Sequence, residues 1–329
     1  MRSYLCLLLV SSSFLFIGCE KSNHDNNVVS QKYIHKYGYA VSKDEFESRS
    51  YPGQVITLLK NGVTITAGYE DGVLHGACTH TFPNSQTTES YYFYNQGTLV
   101  KQIFYALTGM PMREEVQISP TRYSITTWYK DGTPRSIEEY AGAELLEGQY
   151  FTLANDLEEQ VVKGQGNRVQ RDTDGVLLCK EQLEKGSVVK KETFHPNGSP
   201  ESVANYINNE LFGEKKTFTD SGEPVSVRTY EHNQLNGLST FFKNGLRSVE
   251  VTYVDGVKSG DETHYLDGVN ISKVIHWENG KMHGPSKYFV DDIARVEYYY
   301  DGNPVSPAKW KELDYIDQKI AQIDPQYRP

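Results

Sequence analysis

Polar and apolar residues alternate along Ser248-Val249-Glu250-Val251-Thr252-Tyr253, the two-residue period of a strand with one face turned from water. Arg295-Val296-Glu297-Tyr298-Tyr299 keeps strand-forming residues but places apolar groups on both faces. That is expected where stability comes from neighbouring units stacked along an array. Such segments recur at a fixed spacing. Tyr206, Tyr230, Tyr253 and Trp277 stand 24, 23 and 24 residues apart. A glycine follows each of them seven residues later, at Gly213, Gly237, Gly260 and Gly284. Five residues further on comes a second aromatic, at Phe218, Phe242, Tyr265 and Phe289. A period between about 20 and 50 residues is the signature of a repeat architecture.

Each unit contains two turns. One closes the cycle at Asn197-Gly198, Ser221-Gly222, Asn244-Gly245 and Asp267-Gly268. The other follows the first aromatic, as in Tyr253-Val254-Asp255-Gly256 and Trp277-Glu278-Asn279-Gly280, and returns at Tyr299-Tyr300-Asp301-Gly302. Asn-Gly and Asp-Gly accept the positive φ of tight hairpin turns. Turns fall 10 to 13 residues apart, which leaves strands of about five to eight residues. Weaker copies extend backwards through Asn61-Gly62, Asp71-Gly72, Gln96-Gly97, Asp131-Gly132, Asn155-Asp156 and Asp174-Gly175, with one unit near 155–175 shortened to about 20 residues. The pattern predicts an all-β chain, an elongated single-layer antiparallel meander of about eleven hairpin repeats of ~23 residues. The missing glycines between residues 80 and 170 leave the regularity of that stretch open.

The two ends read differently. Ser306-Pro307 offers a capping hydroxyl and a proline at the first helical position, and Trp310, Leu313, Ile316, Ile320 and Ile323 follow at helical spacing. This predicts a helix over 307–323 that caps the last strands, ended by Pro325. At the other end, Arg2 precedes an apolar run from Tyr4 to Ile17 and then Gly18-Cys19. The run fits a secretory signal and is too short to span a bilayer. The polar stretch from Glu20 to about Asn27 reads as a tether. Tyr33, Tyr37, Tyr39 and Val41 lie at odd positions, compatible with a first strand or a cap. The organisation is thus 1–18 signal, 19–50 anchor cysteine and polar tether, 51–305 repeat array, and 306–329 capping helix and tail.

The chain has 329 residues, a length that would ordinarily imply about two globular domains, but an array grows in one dimension and needs no second core. Of the aromatics, 24 are tyrosine, which suits cross-strand pairing on an exposed sheet. The net charge of −10 argues against nucleic acid as a partner. Outside the signal region and Cys19, two cysteines remain, Cys78 and Cys179. They are separated by about eight strands, on the order of 40 Å in an open sheet, against a bridging limit of about 7 Å between Cα atoms. Two separate, half-buried thiols are expected.

Two resemblances add to this. Leu15-Phe16-Ile17-Gly18-Cys19 resembles the bacterial lipobox, which implies that Cys19 is lipidated and becomes the first residue of the mature chain. That places the protein on a bacterial cell membrane, lipid-anchored and facing the periplasm or exterior. The unit aromatic-x-Asp/Asn-Gly-x-x-x-Gly, as in Trp277 to Phe289, with His75-Gly76 and His283-Gly284, is similar to the bacterial MORN-repeat-variant family. The resemblance implies single-layer β-hairpin sheets, a scaffold or dimerising role known for eukaryotic members, phospholipid binding proposed for some, and the antitoxin half of a toxin–antitoxin module for some bacterial ones.

Candidate chemistry is sparse. The nine histidines show no metal spacing, and His75 and His283 occupy the same repeat slot, a structural position. No phosphate loop, nucleophile elbow or Cys/His cluster occurs, and Gly164-Gln165-Gly166 reads as a loop. No enzyme, cofactor, metal or catalytic residue is expected. The repeat aromatics Tyr206, Tyr230, Tyr253, Trp277 and Tyr299 either pack across strands or line a groove for a protein partner. The expected function is a membrane-tethered, non-catalytic binding or scaffold module. The alternative is an antitoxin or immunity protein.

Overall fold

A computed structural model describes residues 27–290 and 293–323. The signal segment, Cys19 and Pro325 lie outside these residues. Among the described residues the chain is all-β, with 26 strands, 65% strand and 8% helix. Consecutive strands pair antiparallel as an open meander, and a helix follows at Pro307–Ile323. The chain divides into two compact units, one reaching Val176 together with Leu183–Ser187, the other Leu177–Gln182 together with the chain from Val188 onward.

The first unit opens with the strand that Tyr33 allowed, ahead of the array boundary at residue 51. Val28–His35 is a strand that pairs with Gly53–Leu59, Tyr33 opposite Val55. The segment 19–50 is therefore not a tether throughout; it is folded from Val28. A short helix, Lys43–Ser48, covers this end. The Ser42 hydroxyl accepts from the Glu45 N–H at 3.2 Å, and buried Phe46 packs its ring 5.5 Å from Tyr33 and 6.1 Å from Tyr69. Terminal units of an array need such covers.

Regular hairpins then run through the stretch the sequence left open. Thr88–Asn95, Thr98–Tyr105, Pro111–Ser119, Arg122–Trp128, Pro134–Ala141 and Glu144–Phe151 pair in chain order. The shortened unit is built of Leu157–Val162 and Gln165–Arg171, six and seven residues long. Gly164 is in its turn, but Gln165 and Gly166 begin the second strand rather than forming a loop. The core includes Ala67, Cys78, Tyr92 and Tyr94. Cys78 stands between Ala67 and Tyr92 in register and is fully buried, as is Cys179. Both are thiols, deeper than the half-buried state expected, because each holds an inward mid-strand position. The same face buries the Glu138 carboxylate, which accepts from Arg168 at 2.8 Å, Tyr140 at 2.7 Å and Tyr150 at 3.0 Å. Burial alone would raise the Glu138 carboxyl; the Arg168 charge and these bonds hold it below the ordinary range.

In the second unit the two turn types have distinct backbones. Asp255-Gly256 has both residues at positive φ, 48° and 82°, the two-residue hairpin turn. At Asn197-Gly198 only the glycine, at 84°, does so, as in the longer loop with a glycine bulge. Asn244-Gly245 departs from its sequence class, both residues being positive at 52° and 74°. The C-terminal helix docks through Tyr298, whose ring lies 5.4 Å from Trp310, and through Tyr300, which donates to buried Asp317 at 2.7 Å. Trp310, Leu313 and Ile320 are half-buried, whereas Ile316 and Ile323 of the expected apolar stripe are exposed. Asp317 takes the inward position instead.

Candidate binding face

The repeat signature resolves into rows across one face of the second unit. Tyr230 stands directly across from Gly213, Tyr253 from Gly237, Trp277 from Gly260 and Tyr299 from Gly284. On their other side Tyr206, Tyr230, Tyr253 and Trp277 oppose Leu211, Leu235, Lys258 and Met282. All five aromatics picked from the sequence are half-buried, and register brings them into one repeating row. Their glycine partners mark a β-bulge. Between Val251 and Tyr253 the register slips, so the run around Gly260 bulges against its neighbour, and Gly260 takes φ +79°, a conformation cheap only for glycine.

Two residues before each aromatic, and two after each glycine, lies a second row. It runs Ala204, Lys215, Arg228, Ser239, Val251, Glu262 and Ile275, each opposite the next. Ala204, Ser239, Val251, Glu262 and Ile275 are buried and the two cations half-buried. The opposite face carries exposed residues such as Lys216 and Leu238. The frame is constant while the central slot changes chemistry from unit to unit. Sequence reasoning missed this row, although counting two residues from each aromatic finds it.

Charge in the central row is mostly balanced. Lys191, opposite Ala204, pairs with buried Glu181 at 2.7 Å. Burial works against the Lys191 charge, but the Glu181 carboxylate lifts the ammonium above its ordinary value. Glu262 accepts from Lys258, and His264 Nε2 lies 2.6 Å from its other oxygen. Burial opposes the Glu262 charge, but these partners hold its carboxyl below the ordinary range. Lys258 also lies 4.5 Å over the Trp277 ring. At the last aromatic, Tyr299 donates to Glu297 at 2.9 Å, a bond that pushes the phenol up to about 12.

His75 and His283 repeat one contact. The Nδ1 of His75 accepts from the backbone N–H of Gln96 at 3.2 Å, and that of His283 from Asp301 at 3.5 Å. Each ties one hairpin to the next. Among the described residues no group of three or more His, Cys, Asp or Glu could hold a metal ion. No helix among them is long and apolar enough to cross a membrane.

No protein-family model matches the chain, and no curated protein does. Solved structures give distant similarities. A point mutant of S. aureus TarM, in complex with fondaparinux, alpha-GlcNAc-glycerol and UDP, is 13% identical with a TM-score of 0.20, over 38% of this chain and 21% of that one. TcdB2-TccC3 without its hypervariable C-terminal region is 12% identical with a TM-score of 0.16, over 83% of this chain and 19% of that one. The chain thus spans about a fifth of either protein, and neither likeness amounts to a shared overall fold.

Proposed function

We propose that the chain is a non-catalytic protein-binding or scaffold module. It is a MORN-like array of about eleven units, held on a bacterial cell membrane through lipidated Cys19 and facing the periplasm or exterior. The observation that supports this is the second unit's face, where a constant frame of aromatics and bulge glycines surrounds a central slot of changing residues. Repeat proteins that bind partners present extended surfaces built from successive units. Half-buried tyrosine and tryptophan provide large contact area at low side-chain entropy cost.

The test is site-specific photo-crosslinking in the bacterial host. A photoreactive amino acid at Tyr230 or Tyr253 is expected to capture a discrete protein, whereas one at Leu238 on the opposite face is not. Equal capture at all three positions, or at none, would refute the assignment of the face. Metabolic labelling with a fatty acid tests the anchor independently. Label is expected on the wild type and absent from Cys19→Ala, and a Cys19→Ala chain that still fractionates with membranes would count against it.

A further inference from the structure

Two cations on this face make no ion-pair contact among the described residues. Lys215 stands directly across from Arg228, and Arg228 directly across from Ser239. Like charges placed directly opposite one another destabilise a sheet. Arg228 Nε and Ser239 Oγ are both sealed from water and have no hydrogen-bond partner. Among the described residues, neither the Lys215 ammonium nor the Arg228 guanidinium joins an ion pair. Every other charge in the central row from Lys191 to Glu262 has its partner. Two successive slots therefore carry positive charge with no anion in the row beside them. The Lys215 ammonium is pushed below its ordinary value by burial first and then by Arg228 and Lys191, with Glu201 opposing.

We propose that Lys215 and Arg228 anchor a carboxylate side chain from an acidic polypeptide segment lying along this face. The inference rests on the protein-binding reading above and names the chemistry of the partner. A carboxylate supplies the counter-charge that half-buried Lys215 and Arg228 lack, and charge-assisted bonds from an ammonium and a guanidinium to a carboxylate are the strong ones. Tyr206 and Tyr230 flank the position and cover the apolar part of the segment. A bilayer is the poorer occupant. It meets the whole chain, which carries −10, whereas one side chain senses the local field within a Debye length of about 8 Å.

The experiment is fluorescence anisotropy on the full chain with labelled hexaglutamate. The wild type is expected to bind saturably and to lose affinity as salt rises. The Lys215→Met/Arg228→Met double variant is expected to bind at least roughly tenfold more weakly, and Lys216→Met on the opposite face to bind as wild type. Lys215→Glu provides a second arm, because its carboxylate would satisfy Arg228 from within. It is expected to melt higher than the wild type and to bind no hexaglutamate. Absent or unsaturable binding by the wild type would overturn the proposal, as would binding unchanged in both variants. Binding of inorganic phosphate or phosphatidylglycerol vesicles in place of hexaglutamate would overturn it too. Crosslinked partner captured equally by wild type and double variant would sink this inference alone and leave the protein-binding reading standing.

Discussion

Trp277 stands directly across the sheet from Gly260, yet a Cβ built on that glycine would meet nothing within 4 Å. The glycine is there for its backbone, at φ +79° in the bulge, and not to make room for the ring. The ring faces the other neighbour, beneath Lys258 at 4.5 Å.

Gly260→Ala is therefore expected to cost about 1–2 kcal/mol, the penalty of a left-handed alanine, with no added clash. Gly53 is the opposite case. Its φ is ordinary, but an added Cβ would lie 2.1 Å from the Ile34 carbonyl oxygen. Gly53→Ala must move the opening strand and is expected to cost more than Gly260→Ala. Urea denaturation of both variants checks the order.

Glu262 gives a pH signature. Its carboxyl is held low in the folded chain by Lys258 and His264 against the cost of burial. A depressed carboxyl stabilises the fold above its unfolded value of about 4.3, and that contribution is lost as pH falls through the folded value. Glu262→Gln should cost about 1–3 kcal/mol at pH 7. The gap to wild type should close as the solution is acidified below about pH 4. Chemical denaturation across that window measures it, and a gap independent of pH would contradict the assignment.

The turns and bulges were legible in the sequence because positive φ is a demand on single residues, and Asn, Asp and glycine mark it locally. The C-terminal helix was legible because Ser306-Pro307 and a helical apolar period agree. What escaped needed register. Lys43–Ser48 is six residues long, too short for a periodic signal. Lys215, Arg228 and Glu262 look like solvent-facing charges on a strand, and only their cross-strand partners place them in the central row. The five aromatics were found, but the row two residues from them was not, because strand spacing alone does not say which face is covered.

Cys78 and Cys179 are fully buried thiols. Iodoacetamide is expected to leave both unmodified in the native chain and to alkylate both in urea, as read by peptide mass spectrometry. Cys78→Ser, which puts a hydroxyl between Ala67 and Tyr92, should destabilise by about 1–3 kcal/mol. Rapid native alkylation of Cys78 would mean that its unit opens far more readily than the packing implies.

The C-terminal helix is fastened by a polar bond beside the packing of Tyr298 on Trp310. Tyr300 donates to Asp317 at 2.7 Å, and Asp317 occupies the inward slot where the period called for an apolar residue. A hydrogen bond to a charged group contributes about 1.5–3 kcal/mol. Tyr300→Phe keeps the ring and its packing, 4.9 Å from His283, and removes only the donor. Helix docking should weaken by that amount while the hairpins stay intact. Hydrogen exchange separates the two effects. Amides of Pro307–Ile323 should lose protection by roughly tenfold or more, and those of the strands Val257–Tyr265 and Ile271–Glu278 should not change. Asp317→Leu probes the same slot from the other side. If the bond is a device for orientation rather than strength, the leucine variant should match or exceed wild-type stability and leave the helix equally protected. Loss of protection in both variants would instead make the carboxylate itself the fastening.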